Sequence, residues 1–218
     1  MVAIDGPAGA GKSTLARGLA RALGVPYVNT GVMYRAVAAA ALEHGVRPDD
    51  GPALAAVAKG IRFELGTGDP PELTVDGAPP TVVLVGAGVE AVVSQVSAHA
   101  EVRAVLRAAQ RALGAGGAVL EGRDIATVVF PDADAALFVT AAAEVRALRR
   151  ARERGGDVAA GADLARRDGR DARTSPLEPA PGAVVLDTSN LGIEGALERG
   201  LAIVRGRLAA DEATGSAR

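Results

Sequence analysis

The most informative segment of the chain reads Gly6-Pro7-Ala8-Gly9-Ala10-Gly11-Lys12-Ser13-Thr14. It matches the pattern G-x-x-x-x-G-K-S, in which glycines allow backbone N–H groups to approach phosphate oxygens closely. In such a loop Lys12 reaches the β- and γ-phosphates of a nucleotide, and the Ser13 hydroxyl binds Mg²⁺. All nine residues are therefore candidate ATP-binding residues, with Lys12 also catalytic and Ser13 the metal ligand.

The residues on either side of this segment agree with that interpretation. The apolar run Val2-Ala3-Ile4 predicts a short buried strand, and an apolar stripe predicts a helix over about 13–23, ended by Gly24. A helix that starts at the loop points the positive end of its dipole at a bound phosphate. Strand, loop and helix together predict a nucleotide-binding P-loop.

Strands and helices are predicted to alternate along much of the rest of the chain. The remaining strands are predicted at 25–28, 118–120, 135–139 and 184–186. The remaining helices are predicted at 32–44, 100–113 and 142–154, and a last one buries Leu197, Leu201, Val204 and Leu208. This alternation predicts an α/β fold, a three-layer α/β/α core around a parallel sheet.

Two irregular regions interrupt the predicted core. Within residues 61–85, the alternating segment 62–65 and the extended segment 73–75 are followed by a third predicted short strand at 81–85. Together with the hairpin signal Asp76-Gly77, they predict a small antiparallel insert. The second region is polar, Gly-rich and dense in Arg and Asp. The predicted organisation is a core of 1–50, 96–154 and 176–208, an insert at 51–95, the polar segment 155–175 and a flexible tail at 209–218.

Composition excludes several classes of protein. The chain has no Cys and only two His, so a Cys-ligated zinc site and a His-rich metal site are not expected. The formal net charge of −2 argues against a nucleic-acid-binding protein. No apolar stretch is long enough to span a membrane, and no signal peptide precedes the first motif, so a cytoplasmic protein is expected.

A P-loop occurs in switches, motors and small-molecule kinases. The guanine-binding string N-K-x-D and the switch string D-x-x-G are both absent, which argues against a GTPase. A small-molecule kinase must hold a second anionic substrate and keep water from the γ-phosphate. The arginines available for this outside the P-loop helix are Arg35, Arg103, Arg123, Arg167, Arg170 and Arg173.

Further motifs resemble those of the bacterial cytidylate kinase family. The segments that carry the resemblance are Asn29–Arg35 (N-T-G-V-M-Y-R), Ser94–Ala98 with Arg103, Gly122–Ala133 (G-R-D-I-A-T-V-V-F-P-D-A), Arg167–Asp171 with Ser175–Leu177, and Asp187–Ser189. The resemblance covers about residues 2–208. It implies ATP-dependent phosphorylation of CMP and dCMP with Mg²⁺, by a monomer in which 51–95 is the nucleoside-monophosphate-binding insert and 155–175 a mobile lid.

The resemblance also implies a role for individual residues. Those implied to bind cytosine are Thr30, Ser94, Arg103 and Asp124. Those implied at the CMP phosphate are Arg35 and Arg123, with Tyr34 lining the site. Those implied at the ribose or the nearby phosphate are Arg167 and Asp171. The implied catalytic arginines are Arg123, Arg167 and Arg173. Arg146 and Arg150, which are four residues apart on one helical face, are implied to reach the ATP side.

The chain departs from the family pattern in two places that bear on the site. Ala126 replaces a glycine, and its methyl group would shift the loop if that glycine has positive φ. Arg173 follows Asp171 by two residues instead of three, so Arg170 and Arg173 compete for the same catalytic assignment. These departures count slightly for a nucleotide-binding regulator that has lost turnover, which stays open as one alternative function. A kinase for another small acceptor, with Asp124 as base for an alcohol, stays open as a second.

Overall fold

The structure, a computed structural model, describes residues 1–81, 84, 86–153, 169 and 177–215. Its strands are β1 (Val2–Asp5), β2 (Tyr27–Asn29), β3 (Phe63–Leu65), β4 (Leu73–Val75), β5 (Val119–Glu121), β6 (Ala135–Thr140) and β7 (Val184–Asp187). Its α-helices are α1 (Lys12–Leu23), α2 (Thr30–Glu43), α3 (Gly51–Gly60), α4 (Ala87–Val96), α5 (Ala100–Gly114), α6 (Ala143–Glu153) and α7 (Ile193–Gly215). A five-residue π-helical turn covers Ile125–Val129.

The chain divides into two compact units, one formed by Met1–Gly24 with Val119–Arg218 and the other by Val25–Ala118. In the first unit four strands lie parallel in the order β5-β1-β6-β7. All four residues of β1 are buried, as expected for a central strand with neighbours on both sides. Helices α1 and α7 pack together in this unit.

The second unit is mostly helical. Its core is built where the apolar faces of α2 to α5 meet, and includes Met33, Leu54, Val96 and Leu106. The predicted hairpin is present, since β3 and β4 pair antiparallel and the turn at Asp76-Gly77 has positive φ at both residues. These two strands form the small antiparallel sheet of this region.

Several predicted elements differ from those found. The segment 87–96, which the sequence did not assign to a helix, forms α4, and the last helix ends at Gly215, within the tail predicted to be flexible. The flexibility of that tail stays a prediction. The strand predicted at 81–85 lies mostly on residues outside the described part. The predicted α/β fold, with its parallel sheet, its helices and a small antiparallel pair, is confirmed.

Candidate functional site

The phosphate-binding loop connects β1 to α1 in the first unit. Gly11 occupies the N-cap position of α1 with a φ of 88°, a left-handed conformation that favours glycine. Gly6 has a φ of 142°, and a Cβ atom built there would lie 2.0 Å from the backbone oxygen of Val139. The loop therefore needs glycine at these two positions, because of the backbone conformation at both and the close neighbour at Gly6.

The first turn of α1 is suited to bind an anion. Its first residue, Lys12, donates a hydrogen bond of 2.8 Å from Nζ to the Pro7 carbonyl oxygen, and Ser13 and Thr14 are exposed. No acidic residue lies in this turn. The backbone N–H groups and the dipole of the helix therefore act on a phosphate without a competing carboxylate on the same turn.

Residues on α6 and just after β7 form hydrogen bonds with the backbone of the phosphate-binding loop. The guanidinium of Arg146 on α6 donates to the Ala8 carbonyl oxygen at 3.2 Å. The buried Thr188 hydroxyl lies 2.9 Å from the Ala10 carbonyl oxygen and accepts a bond from Arg149. Arg146 thus contacts the loop, and Arg150 is half-buried on the same helix. Their roles in ATP binding stay predictions.

The segment that carries Arg123 and Asp124 runs alongside the end of β1. The Nη1 of Arg123 donates to the Gly6 carbonyl oxygen at 2.9 Å, so this arginine contacts the phosphate-binding loop directly. Ala126, which follows two residues after Asp124, does not have positive φ; among the described residues only one non-glycine, in the hairpin turn, does. The replacement of glycine by alanine therefore introduces no left-handed strain here.

A buried carboxylate holds this segment in place. The two carboxylate oxygens of Asp5 accept hydrogen bonds of 2.8 Å from the backbone N–H groups of Ile125 and Ala126. Asp5 is only 4% exposed. The sequence reasoning selected neither Asp5 nor Thr188 nor Arg149; for Asp5 the available signal was a carboxylate ending a fully apolar strand next to the phosphate-binding loop.

Burial raises the pKa of Asp5 from its ordinary value of 3.8 to about 6, and the charge of Asp124 acts in the same direction. The two backbone hydrogen bonds and the charge of Lys12 oppose this rise in pKa. The charged residues that end or follow the neighbouring elements are Lys12, Glu121, Arg123 and Asp124. Removal of the carboxylate from water thus outweighs the groups that favour its ionised form.

We expect Asp5 to make the folded state less stable as the pH rises from about 4 to about 6. The folded protein binds the proton of Asp5 more tightly than the unfolded chain, so deprotonation in this window favours unfolding. The shift corresponds to about 3 kcal/mol. Urea unfolding at pH 4, 5, 6 and 7 should show this decline in the wild type and a smaller one in Asp5→Asn. Parallel stability profiles of the two proteins would contradict the shift.

In the second unit, α2 carries three residues that the family resemblance assigned to the CMP site. The helix begins at Thr30 because the side chain of Asn29 accepts a hydrogen bond from the Val32 N–H and so caps the helix. The Thr30 side chain is buried. One turn later come the half-buried Tyr34 and Arg35. All three lie on α2, whereas the helix predicted over 32–44 left Thr30 before its start.

Arg35 pairs with a carboxylate that the sequence reasoning did not select. Its Nη2 lies 2.8 Å from Oε1 of Glu90 on α4, and the two side chains are 13% and 11% exposed. The Nε atom of Arg35 is buried and has no hydrogen-bond partner among the described residues.

Ser94 and Arg103 lie at neighbouring helix ends in the same unit. Arg103 donates from Nη1 to the Ser97 carbonyl oxygen at 3.4 Å, and the Ser97 hydroxyl donates to the Ser94 carbonyl oxygen at 3.1 Å. Ser94 is buried near the end of α4, and Arg103 is half-buried in the first turn of α5. Both residues thus form a hydrogen bond with Ser97, Ser94 through its backbone carbonyl oxygen.

The remaining predicted site residues lie outside the described part of the chain. They are Arg167, Arg170, Asp171 and Arg173. Their assignments stay predictions, and so does the choice between Arg170 and Arg173.

No group of three or more His, Cys, Asp or Glu side chains within the described residues could hold a metal ion. In the same part of the chain, no helix is both long and apolar enough to cross a membrane.

The sequence matches the cytidylate kinase family over residues 2–206. A protein named cytidylate kinase from Rhodococcus opacus is 46% identical over 219 residues, which cover 95% of each chain. Another of that name, from Mycolicibacterium paratuberculosis, is 45% identical and the match covers 88% of this chain and 89% of the relative. A third, from Exiguobacterium sibiricum, is 41% identical, covering 95% and 97%.

Proposed function

The chain belongs to the cytidylate kinase family, and we propose that it transfers the γ-phosphoryl group of ATP to CMP and dCMP. The observation that carries the proposal is the contact between Arg123 and the phosphate-binding loop, at Gly6. A fixed cation beside the loop is what a transferring phosphoryl group requires. The Lys12 amine lies at the same loop, so two positive charges are available for one phosphate chain.

In the proposed reaction an oxygen of the CMP phosphate attacks the γ-phosphorus of ATP in line with the departing ADP oxygen. This oxygen already carries negative charge near pH 7, so the enzyme needs no general base. Its contribution is to position the two substrates and to stabilise charge on the equatorial oxygens. Lys12 and Arg123 are the described residues proposed for that task, and Arg167 and Arg173 complete the proposed set.

Mg²⁺ is proposed as the cofactor, with the Ser13 hydroxyl as its protein ligand. The residues fit this role, because Ser13 is exposed in the first turn of α1, next to the loop. Mg²⁺ is usually held by one or two protein oxygens together with substrate phosphates and water, so a cage of carboxylates is not required. When bound, the ion would neutralise charge on the β- and γ-phosphates.

CMP is proposed to bind through the residues that the family resemblance assigns. Cytosine would contact Thr30, Ser94, Arg103 and Asp124. Its phosphate would contact Arg35 and Arg123 beside Tyr34, while Arg167 and Asp171 would reach the ribose or the nearby phosphate. A site with buried polar groups rejects a wrong base strongly, because those groups are then left without partners. ATP would bind the phosphate-binding loop, with Arg146 and Arg150 on its side.

The test is ADP release from the purified protein with ATP and Mg²⁺, to which CMP, dCMP, UMP, AMP or GMP is added separately. We expect CMP and dCMP to support turnover and kcat/KM for UMP to be at least about 10²-fold lower. Turnover with AMP or GMP alone would overturn the base-binding assignments but keep the kinase. Tight ATP binding with no turnover on any acceptor would favour the regulator instead.

A monomer acting in the cytoplasm is part of the same proposal. The monomer rests on the family resemblance. The cytoplasmic location rests on the composition, which contains no Cys.

A further inference from the structure

We propose that Asp5 is a positioning residue of this kinase: its carboxylate caps the turn after Arg123 and so holds that arginine at the phosphate-binding loop. The inference rests on the proposed function, in which Arg123 stabilises the transferring phosphoryl group. Asp5 itself is not placed in contact with substrate.

Three consecutive residues at the end of β1 each bind the segment 122–126. The Ile4 carbonyl oxygen accepts from the Gly122 N–H at 2.9 Å, and the Gly6 carbonyl oxygen accepts from Arg123. Between them, the Asp5 carboxylate accepts the N–H groups of Ile125 and Ala126. The backbone around Arg123 is therefore fixed on both sides by β1, and only the bonds to Asp5 depend on a side chain of that strand.

The turn needs this cap because it cannot satisfy its own first N–H groups. Its internal bonds begin at Val128 and Val129, which both donate to the Asp124 carbonyl oxygen. Asp124 occupies the N-cap position, yet its side chain makes no capping bond to the turn. Asp5, at the end of β1, accepts the first N–H groups of the turn instead, so Asp124 is not required for capping.

A carboxylate is the side chain that fits two converging donors. Each of its oxygens accepts one N–H group, and an ionised acceptor makes shorter and stronger bonds than a neutral one. Asparagine has the same size but offers one acceptor and one NH₂ group, so one backbone donor would face another donor. In Asp5→Asn the turn is therefore expected to shift, and Arg123 with it.

The test is steady-state turnover of Asp5→Asn, Arg123→Ala and the double variant, with Asp132→Asn as control. Asp132 is exposed and follows the same turn, and its replacement should leave kcat within about twofold of wild type. We expect Asp5→Asn to lower kcat about 10²-fold, as a misplacement of about 1 Å can. KM for ATP should change less than about threefold, because the loop and α1 keep their groups.

The double variant identifies the path of the effect. If Asp5 acts through Arg123, removing the arginine first leaves nothing to misplace, and the double variant should match Arg123→Ala within about threefold. Losses that multiply would overturn the inference, and so would a kcat near wild type in Asp5→Asn. Wild-type turnover in Arg123→Ala would instead overturn the proposed role of Arg123.

One measurement needs no substitution at Asp5 and covers the case in which Asp5→Asn does not fold. In the wild-type protein, the amide proton resonances of Ile125 and Ala126 should shift together as the Asp5 carboxyl titrates, because both bonds end on that carboxylate. Amide proton shifts of Ile125 and Ala126 that do not change with this titration would show that the cap is absent and overturn the inference.

Discussion

Lys12→Ala is expected to lower kcat for CMP phosphorylation by about 10³-fold. The amine lies at the start of α1, where it donates to the Pro7 carbonyl oxygen within the phosphate-binding loop. From this position it is proposed to stabilise the negative charge that develops on the γ-phosphate oxygens during the reaction. Loss of one preorganised charge contact of this kind costs about 10²–10³-fold in turnover. ADP release at saturating ATP and CMP measures the effect.

The matched control is Lys59→Ala. Lys59 is the only other lysine of the chain and lies exposed near the end of α3. Alanine is a good helix former at both positions, so neither substitution should disturb its helix. The Lys59 variant should keep wild-type turnover. Near-normal turnover in Lys12→Ala would contradict the proposed mechanism, whatever its effect on ATP affinity.

The region around Lys12 is also where sequence reasoning predicted the structure best. An apolar run, a glycine-rich segment and a helical stripe follow one another directly, and the loop and the helix depend mainly on local interactions. The predicted start of the helix at about 13 differs from the observed start at Lys12 by one residue. Helical periodicity alone places Leu15, Leu19 and Leu23 on one face. The first two are buried as this pattern predicts, and Leu23, at the end of the helix, is half-buried.

The segment 87–96 shows what the pattern could not give. Its valines are β-branched and suit a strand, yet Val89, Val93 and Val96 line one face of α4 and are buried in the core of the second unit. Helix formation here depends on that core, which consists of residues distant in sequence. Intrinsic propensity is a weak signal when tertiary packing decides the element.

The contacts of Asp5 and Glu90 escaped prediction for a related reason. Asp5 binds N–H groups 120 and 121 residues away, and Glu90 pairs with Arg35 at a separation of 55 residues. No periodicity or local motif relates such positions. The family resemblance identified Arg35 and Arg123 as candidate ligands of phosphate, but the residues that support them could be found only once the chain was folded.

Arg35→Ala is expected to lower kcat/KM for CMP about 10²–10³-fold. Hydrogen bonds to charged groups contribute roughly 1.5–3 kcal/mol each, and a guanidinium commonly makes two of them to one phosphate. The KM for ATP should change much less, since ATP is proposed to bind the P-loop.

The same substitution also removes the partner of Glu90, so its effect on folding must be separated from its effect on substrate. Removing one member of a nearly buried ion pair costs up to about 3 kcal/mol of stability, because the carboxylate of Glu90 loses the cation that it faces. The double variant Arg35→Ala/Glu90→Ala should recover most of the stability in urea unfolding while kcat/KM for CMP stays low.

The control for this pair is Arg47→Ala, which breaks the ion pair between Arg47 and Asp49. That pair joins side chains that are 77% and 61% exposed, so its removal should change both stability and kcat/KM little. If the double variant regained kcat/KM together with stability, Arg35 would matter only for folding. A loss of kcat/KM that persists in a protein of restored stability is the result that a direct contact with the CMP phosphate requires.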